Sequence, residues 1–323
     1  MGVCVKMKLA IISAGIVILL IAAYFAVGNY FYNYALNATN KKDFLENNPN
    51  LPSNKSINPE MTDAAKKADL DFLSQHPPIE TSIISFDKLN LNAYVYKYDN
   101  ISHKWSIVVH GYNSSGKWMT RWARNFHEQG YNVLVPDLRG HGNSGGNYIG
   151  MGWNDRLDML LWINKIIEMD SKAEIALFGI SMGGATVMMT SGEDLPSNVK
   201  VIVEDCGYSS VNSVFAYQLN DMFGLPEFPV MTAANTVTKL RAGYSLYKAS
   251  AVKQVAKSKL PTLFIHGDKD TFVPFKMLGE VYEASSAPKE RLVIKGAAHG
   301  QAEAVDPNAY WNTLWSFVNK YIK

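Results

Sequence analysis

The spacing of apolar positions changes several times along the chain, and each change predicts a different element. From Leu9 to Gly28 the apolar residues are continuous and no charge interrupts them. A helix needs about 20 such residues to cross the hydrocarbon core of a bilayer, so residues 9–28 predict a transmembrane anchor. From Asn29 to about Asn58, Asn, Lys and Pro break any sustained period, which predicts a stalk or linker. Thr62 then caps a helix predicted to run to about Gln75, where Pro77 and Pro78 stop it.

Beyond Pro78 the pattern is one of strands. Ser82–Phe86 and Ala93–Tyr98 alternate with period two around a polar turn, as an antiparallel edge does. Trp105–Val109, Val133–Pro136, Ile175–Phe178, Val199–Val203, Thr262–Ile265 and Arg291–Ile294 are mostly continuous apolar runs, expected of parallel strands covered on both faces. Helical spacing fills the intervals. It appears over Trp118–Gln129 and over Asp155–Met169, where Met159, Leu160, Ile163, Ile166 and Ile167 share a face. A last helix opens at Asp306-Pro307, a cap followed by an N1 proline, and its Trp311, Leu314, Trp315, Val318 and Ile322 read as core. The stretch 207–258 is longer than an ordinary connection and has apolar clusters of its own, so it predicts a small helical cap inserted late in the sheet. The expected organisation is an anchor over 1–28, a linker over 29–61 and one α/β domain over 62–323, with a mostly parallel sheet and helices on both faces.

Charge and composition narrow the partners. Lys and Arg total 31 against 29 Asp and Glu, a formal charge of +2, so electrostatics gives no reason to expect nucleic acid. The histidines and cysteines form no HExxH or CxxC grouping, and no metal site is predicted. Lys6 and Lys8 precede the apolar segment, so the positive-inside rule places the N-terminus in the cytoplasm and the domain outside, on a single-pass membrane protein. A cleaved signal peptide, leaving a secreted protein, is the rival, since Ala26-Val27-Gly28 could serve as a cleavage site. Signal-peptide apolar cores run only about 7–15 residues, shorter than this one.

The candidate chemistry centres on Gly179-Ile180-Ser181-Met182-Gly183, which follows a predicted strand and opens a helical stretch. A serine there sits on a tight turn that small residues two places to either side permit, and its hydroxyl projects from the top of the sheet beside a helix N-terminus. A hydroxyl needs a base to become a nucleophile. His299, in the small-residue loop Gly296–Gly300 after the last strand, is the best placed; structural roles are expected for His110, His141 and His266. The supporting acid is Asp268, Asp270 or Asp205, and spacing alone does not choose among them.

Together HGDKDTFVP over 266–274, GISMG, the His110-Gly111 step and PDLRGHGNSGG over 136–146 make the stretch from about Ser82 to Ile322 resemble the α/β-hydrolase fold serine hydrolases. More narrowly, it is similar to their bacterial, single-span, membrane-anchored members of unassigned substrate. The resemblance implies the chain order Ser, Asp, His. It selects Asp270, two residues past Asp268, and makes Asp268 a turn residue. It further implies an oxyanion hole from the backbone N–H groups of Met182 and Tyr112. Ala298 departs from the glycine often found before the histidine of this family.

The implied activity is cleavage of carboxylic esters through an acyl-enzyme, on a small-molecule ester or acyl substrate and without metal or organic cofactor. Peptidase, thioesterase or acyltransferase chemistry on the same triad is the alternative, as is a non-catalytic binding protein that kept the fold. Activity is expected to fall in acid as His299 takes up a proton. In the cap, Phe215, Leu219, Met222, Phe223, Leu225, Phe228 and Met231 suit an acyl pocket and cap packing equally. Gly140–Gly145 also satisfies GxGxxG after a strand, but a dinucleotide fingerprint leads straight into a helix and here the loop continues, so a structural loop is expected.

Overall fold

The computed structural model describes residues 2–45, 48, 50–51 and 59–323. The strands are β1 (Ile79–Ile84), β2 (Asn90–Tyr96), β3 (Lys104–Val109), β4 (Asn132–Pro136), β5 (Glu174–Ile180), β6 (Val199–Asp205), β7 (Thr262–Gly267) and β8 (Lys289–Ile294). They form one 8-stranded sheet in the order β1-β2-β4-β3-β5-β6-β7-β8. β1 and β2 pair antiparallel at one edge, β2 meets β4 antiparallel, and every later pairing is parallel.

The helices are α1 (Gly2–Ala35), α2 (Pro59–Gln75), α3 (Thr120–Glu128), α4 (Asp155–Met169), α5 (Met182–Thr190), α6 (Val211–Phe223), α7 (Glu227–Ala242), α8 (Ala251–Val255), α9 (Lys276–Ala284), α10 (Ala302–Val305) and α11 (Pro307–Val318). Both faces of the sheet are covered, which is why the central strands read as unbroken apolar runs. Along β5, Ile175 and Leu177 join one core with α4, α5 and the cap; Ala176 and Phe178 join the other with α3 and α11. Local signals set the helix ends. The Asp306 carboxylate accepts from the Ala309 N–H ahead of Pro307, and the Ser210 hydroxyl accepts from the Ser213 N–H, while α6 stops at Gly224 with φ +64.

The structure moves several expected boundaries. β1 begins at Ile79, because its register against β2 pairs Ile79 with Val95 and Ile84 with Asn90. α2 begins at Pro59 rather than after Thr62. Trp118 lies in a 3-10 turn ahead of α3 and is exposed. On α4 the buried face carries Trp162, with Leu160 only partly buried.

The largest difference concerns the linker read over 29–61. Helix α1 does not end at Gly28 but runs to Ala35, and the chain just beyond it is tied to the domain. Leu36 accepts from the Ile149 N–H at 2.8 Å, and Ala38 donates to the Asn147 carbonyl at 3.1 Å. The buried Lys42 ammonium closes the end of α1 by donating to the carbonyls of Tyr34 and Asn37. The rest of that reading falls partly on 46–47, 49 and 52–58, outside the described residues. The asparagines that suggested a linker have partners far along the chain: Arg241 donates to Asn29 at 2.7 Å and to Asn33 at 2.9 Å. The helix over Lys6–Ala35 is long and apolar enough to cross a membrane.

Candidate active site

β5 ends where β3 and β6 flank it, and the chain turns there directly into α5. Ser181 stands on that turn with φ +56 and ψ −117, a conformation that costs a non-glycine residue about 1–3 kcal/mol. The flanking glycines are steric requirements. A Cβ on Gly179 would lie 2.2 Å from the Gly183 carbonyl oxygen, and one on Gly183 would lie 2.2 Å from that of Val109. The Ser181 N–H donates to the Asp205 carbonyl at 2.7 Å, which pins the turn to β6.

Ser181, His299 and Asp270 meet at the C-terminal edge of the sheet. The Ser181 Oγ lies 2.8 Å from His299 Nε2, and His299 Nδ1 lies 2.7 Å from Asp270 Oδ2. Asp270 is fixed on its other side, its Oδ1 accepting from the N–H groups of Phe272 at 3.0 Å and Val273 at 2.8 Å. Burial alone would raise the Asp270 pKa; the charge of His299 and hydrogen bonds from His266 and His299 outweigh it and hold the carboxyl well below the usual range. The other two acids are engaged elsewhere. Asp268 accepts from the Gly296 N–H at 2.6 Å, bracing the turn that carries His299, and Asp205 accepts from the Tyr310 hydroxyl at 2.9 Å.

Tyr112 follows Gly111 in the loop beside the serine, and Met182 follows the serine itself. Gly111 passes so close that a Cβ there would lie 3.4 Å from that of Ser181, and α5 opens at Met182. Among the described residues neither the Tyr112 nor the Met182 amide has a protein acceptor. The Tyr112 hydroxyl donates to the Ala35 carbonyl at 2.6 Å, joining this loop to the last turn of α1.

The remaining histidines have distinct jobs. His110 is fully buried, with Nδ1 2.7 Å from the Gly111 carbonyl and Nε2 accepting from the Leu138 N–H, and burial pushes its pKa down to about 4. Burial and the neighbouring His110 hold His141 down to about 3, with Nε2 accepting from the Asn113 N–H. His266 is more than a structural residue: its Nε2 lies 3.2 Å from Asp270 Oδ2 and 3.0 Å from the Val273 carbonyl, so Asp270 sits between two imidazoles. Sequence reasoning missed this, although the i, i+4 spacing of His266 and Asp270 was visible.

The glycine loop after β4 wraps a carboxylate rather than a phosphate. Asp137 accepts from the N–H groups of Gly116 at 2.7 Å and Asn143 at 2.8 Å, and a Cβ on Gly142 would strike it. Arg139, fully buried, anchors the loop on Asp158 and Asp87. Cys206, Asp270 and His299 offer ligand atoms within 4.8 Å of one another. His299 and Asp270 are already bonded to each other there, and burial keeps the Cys206 thiol protonated, so the set does not suit a metal.

Ser181 opens onto an apolar cavity of about 100 Å³, several times the ~10–15 Å³ that holds a single water. Of the cap residues singled out in the sequence, Phe215, Leu219, Met222, Phe223 and Met231 line it; Leu225 and Phe228 do not, and are exposed. Its opposite wall is the end of α1, a contribution that the linker reading concealed. Gln218 ties the cap to the acid loop, donating to the Phe272 carbonyl at 2.6 Å.

Known proteins are similar to this chain. A family model described as Hydrolase_4, serine aminopeptidase S33, matches residues 102–206. The uncharacterized protein YqkD of Bacillus subtilis is 25% identical over 272 residues, 79% of this chain and 88% of that one. The uncharacterized membrane protein YNL320W of Saccharomyces cerevisiae is 20% identical over 242 residues, covering 75% and 80%. Among solved structures, the esterase Pf2001 of Pyrococcus furiosus superposes with a TM-score of 0.63 at 24% identity, over 77% of this chain and 93% of its own.

Proposed function

For a chain with the α/β-hydrolase fold, we propose the activity of a serine hydrolase that cleaves carboxylic esters. The observation that carries this is the hydrogen-bonded row from Ser181 through His299 to Asp270, opening onto an apolar cavity. Ser181 Oγ attacks the ester carbonyl as its proton passes to His299 Nε2. The amides of Tyr112 and Met182 receive the developing oxyanion. Collapse breaks the bond to the alcohol oxygen, which takes the proton from His299, and water then repeats the sequence on the acyl-enzyme to release the acid. Asp270 holds the Nδ1–H tautomer and stabilises the imidazolium.

An ester is favoured over a peptide by the cavity wall. Among the described residues it offers no acidic side chain to hold a free amine, and Gln218 and tyrosines supply most of its polar groups beyond the serine.

The same reading keeps α1 as a retained anchor with the domain outside the cytoplasm. Cleavage after Gly28 would remove the Tyr24 hydroxyl from its contacts with Thr232 and Thr236 on the cap. The name of the yeast relative points to a membrane as well. The test is turnover of p-nitrophenyl acetate by the full-length protein and by Ser181→Ala. The reading requires turnover in the first and its loss in the second with unchanged thermal unfolding; equal turnover in both would exclude it.

A further inference from the structure

We infer that the substrate is a long-chain carboxylic ester taken from the bilayer, and that the C-terminal half of α1 is a fixed wall of the site that receives its acyl chain. The inference rests on the serine-hydrolase reading and extends it from a reaction to a substrate class.

Two features of α1 carry the argument. Its first turns expose apolar side chains such as Ile11, Leu19 and Leu20, the surface a bilayer covers. From Tyr24 onward one face is packed on the cap. The Tyr24 hydroxyl donates to the Thr232 carbonyl at 3.0 Å, a Cβ on Gly28 would lie 2.4 Å from the Ala233 carbonyl oxygen, and Asn33 accepts from Arg241. These contacts advance in the same direction along both chains, so α1 and α7 run parallel and nearly touching. α7 is regular only past Phe228, whose φ −93 and ψ 135 break it; with equal rise per residue in the two helices, that regular run begins about level with Ile21. Just ahead of it stands Phe228, 75% exposed. The tip of the cap therefore stands beside the apolar span, not beyond its end.

The cavity beside the nucleophile is walled by the following turns of the same helix, from Phe31 onward. Phe31 and Tyr34 of α1 meet the ring of Phe223 at centroid distances of 5.4 and 5.3 Å, and Met231 of α7 adjoins them on the way to Ser181. An acyl chain that leaves the bilayer along the anchor meets this apolar wall before its ester reaches the serine. Hydrolysis then adds water across the acyl C–O bond: the acyl carbon gains the hydroxyl and the alcohol oxygen gains the proton. The Tyr112 hydroxyl on the Ala35 carbonyl ties the proposed oxyanion loop to the same helix, so the position of α1 sets both the pocket and that loop.

The test uses full-length protein in phosphatidylcholine vesicles, with p-nitrophenyl acetate and decanoate as substrates and fluorophosphonate labelling of Ser181 as the control. Each methylene buried is worth about fourfold in kcat/KM, so decanoate is expected to exceed acetate by tenfold or more. Adding phosphatidylcholine at fixed decanoate should slow turnover in proportion to the dilution of ester within the bilayer. Phe31→Ala, which shortens the wall, and Gly28→Leu, which wedges α1 off α7, should each lower the decanoate-to-acetate ratio at least tenfold. The inference is overturned if the wild type labels yet shows no chain-length preference, if dilution has no effect, or if neither variant moves the ratio. Failure of the wild type to label removes the hydrolase reading and this inference with it.

Discussion

Replacing Asp270 by Asn is the perturbation whose consequence the geometry specifies most fully. Oδ1 accepts two backbone N–H groups, from Phe272 and Val273. Only the amide oxygen of Asn can take that place, so its NH2 must occupy the position of Oδ2. It then faces His299 Nδ1 at 2.7 Å and His266 Nε2 at 3.2 Å. An NH2 donates, so His299 must accept at Nδ1 and carry its proton on Nε2, where it can no longer receive one from Ser181. Holding the wrong tautomer costs on the order of 10⁴-fold in rate, about 5.5 kcal/mol. On its other side the NH2 meets His266 Nε2, which already donates to Val273, and two donors face each other in a buried site.

The depressed pKa of Asp270 gives this variant a second signature. Its ionised form stabilises the fold above the unfolded carboxylate value of 3.8, and that stability is lost as the pH falls through the lower folded value. Asp270→Asn should therefore be less stable than wild type at pH 7, with the gap narrowing below about pH 4. The assay is kcat/KM on p-nitrophenyl acetate, paired with chemical unfolding at both pH values. A variant within tenfold of wild type, while Ser181→Ala is inactive, would refute the tautomer argument.

Other expectations concern the frame around the site. Gly179→Ala forces a Cβ against the backbone of Gly183 and Gly184; overpacking of about 1–3 kcal/mol predicts a melting temperature lower by roughly 3–10 °C, together with slower labelling of Ser181. An unchanged melting curve would contradict the steric account. Tyr112→Phe leaves the Ala35 carbonyl without its donor and should cost about 1–3 kcal/mol in urea unfolding, with a lower kcat; an unshifted midpoint would count against this link. Asp205 is raised to about 6, chiefly by burial. Its protonated form therefore contributes stability that is present below the unfolded value near 3.8 and is lost as the pH rises through about 6. Asp205→Asn should flatten this decline, and a slope identical to wild type would exclude Asp205 as its source.

Much of this was readable in the residues. Gly179 and Gly183 announce the elbow because no side chain fits there, and His299 stands in the loop after the last strand despite Ala298 in place of glycine. Asp270 was not readable from spacing: it was selected by resemblance, and the structure shows what separates the acids. Asp268 braces a turn, Asp205 holds Tyr310, and Asp270 alone reaches His299. The end of α1 was misread because Asn29, Asn33 and Asn37 look like linker residues when their partners are unknown. Arg241 and the chain at 147–149 lie more than a hundred residues away, and no local period reports such contacts. The helical spacing of Phe31, Tyr34 and Ala35 was the signal available, and it would have extended the helix. His266 was hidden for a similar reason, since its part depends on how the loop to Val273 folds back.

The central claim is that Ser181 is an activated nucleophile, and the most direct measurement is fluorophosphonate labelling of full-length wild type and Ser181→Ala, read by intact mass. The account predicts one covalent adduct on the wild type and none on the variant. A folded wild type that stays unmodified, or a variant labelled equally well, would contradict it.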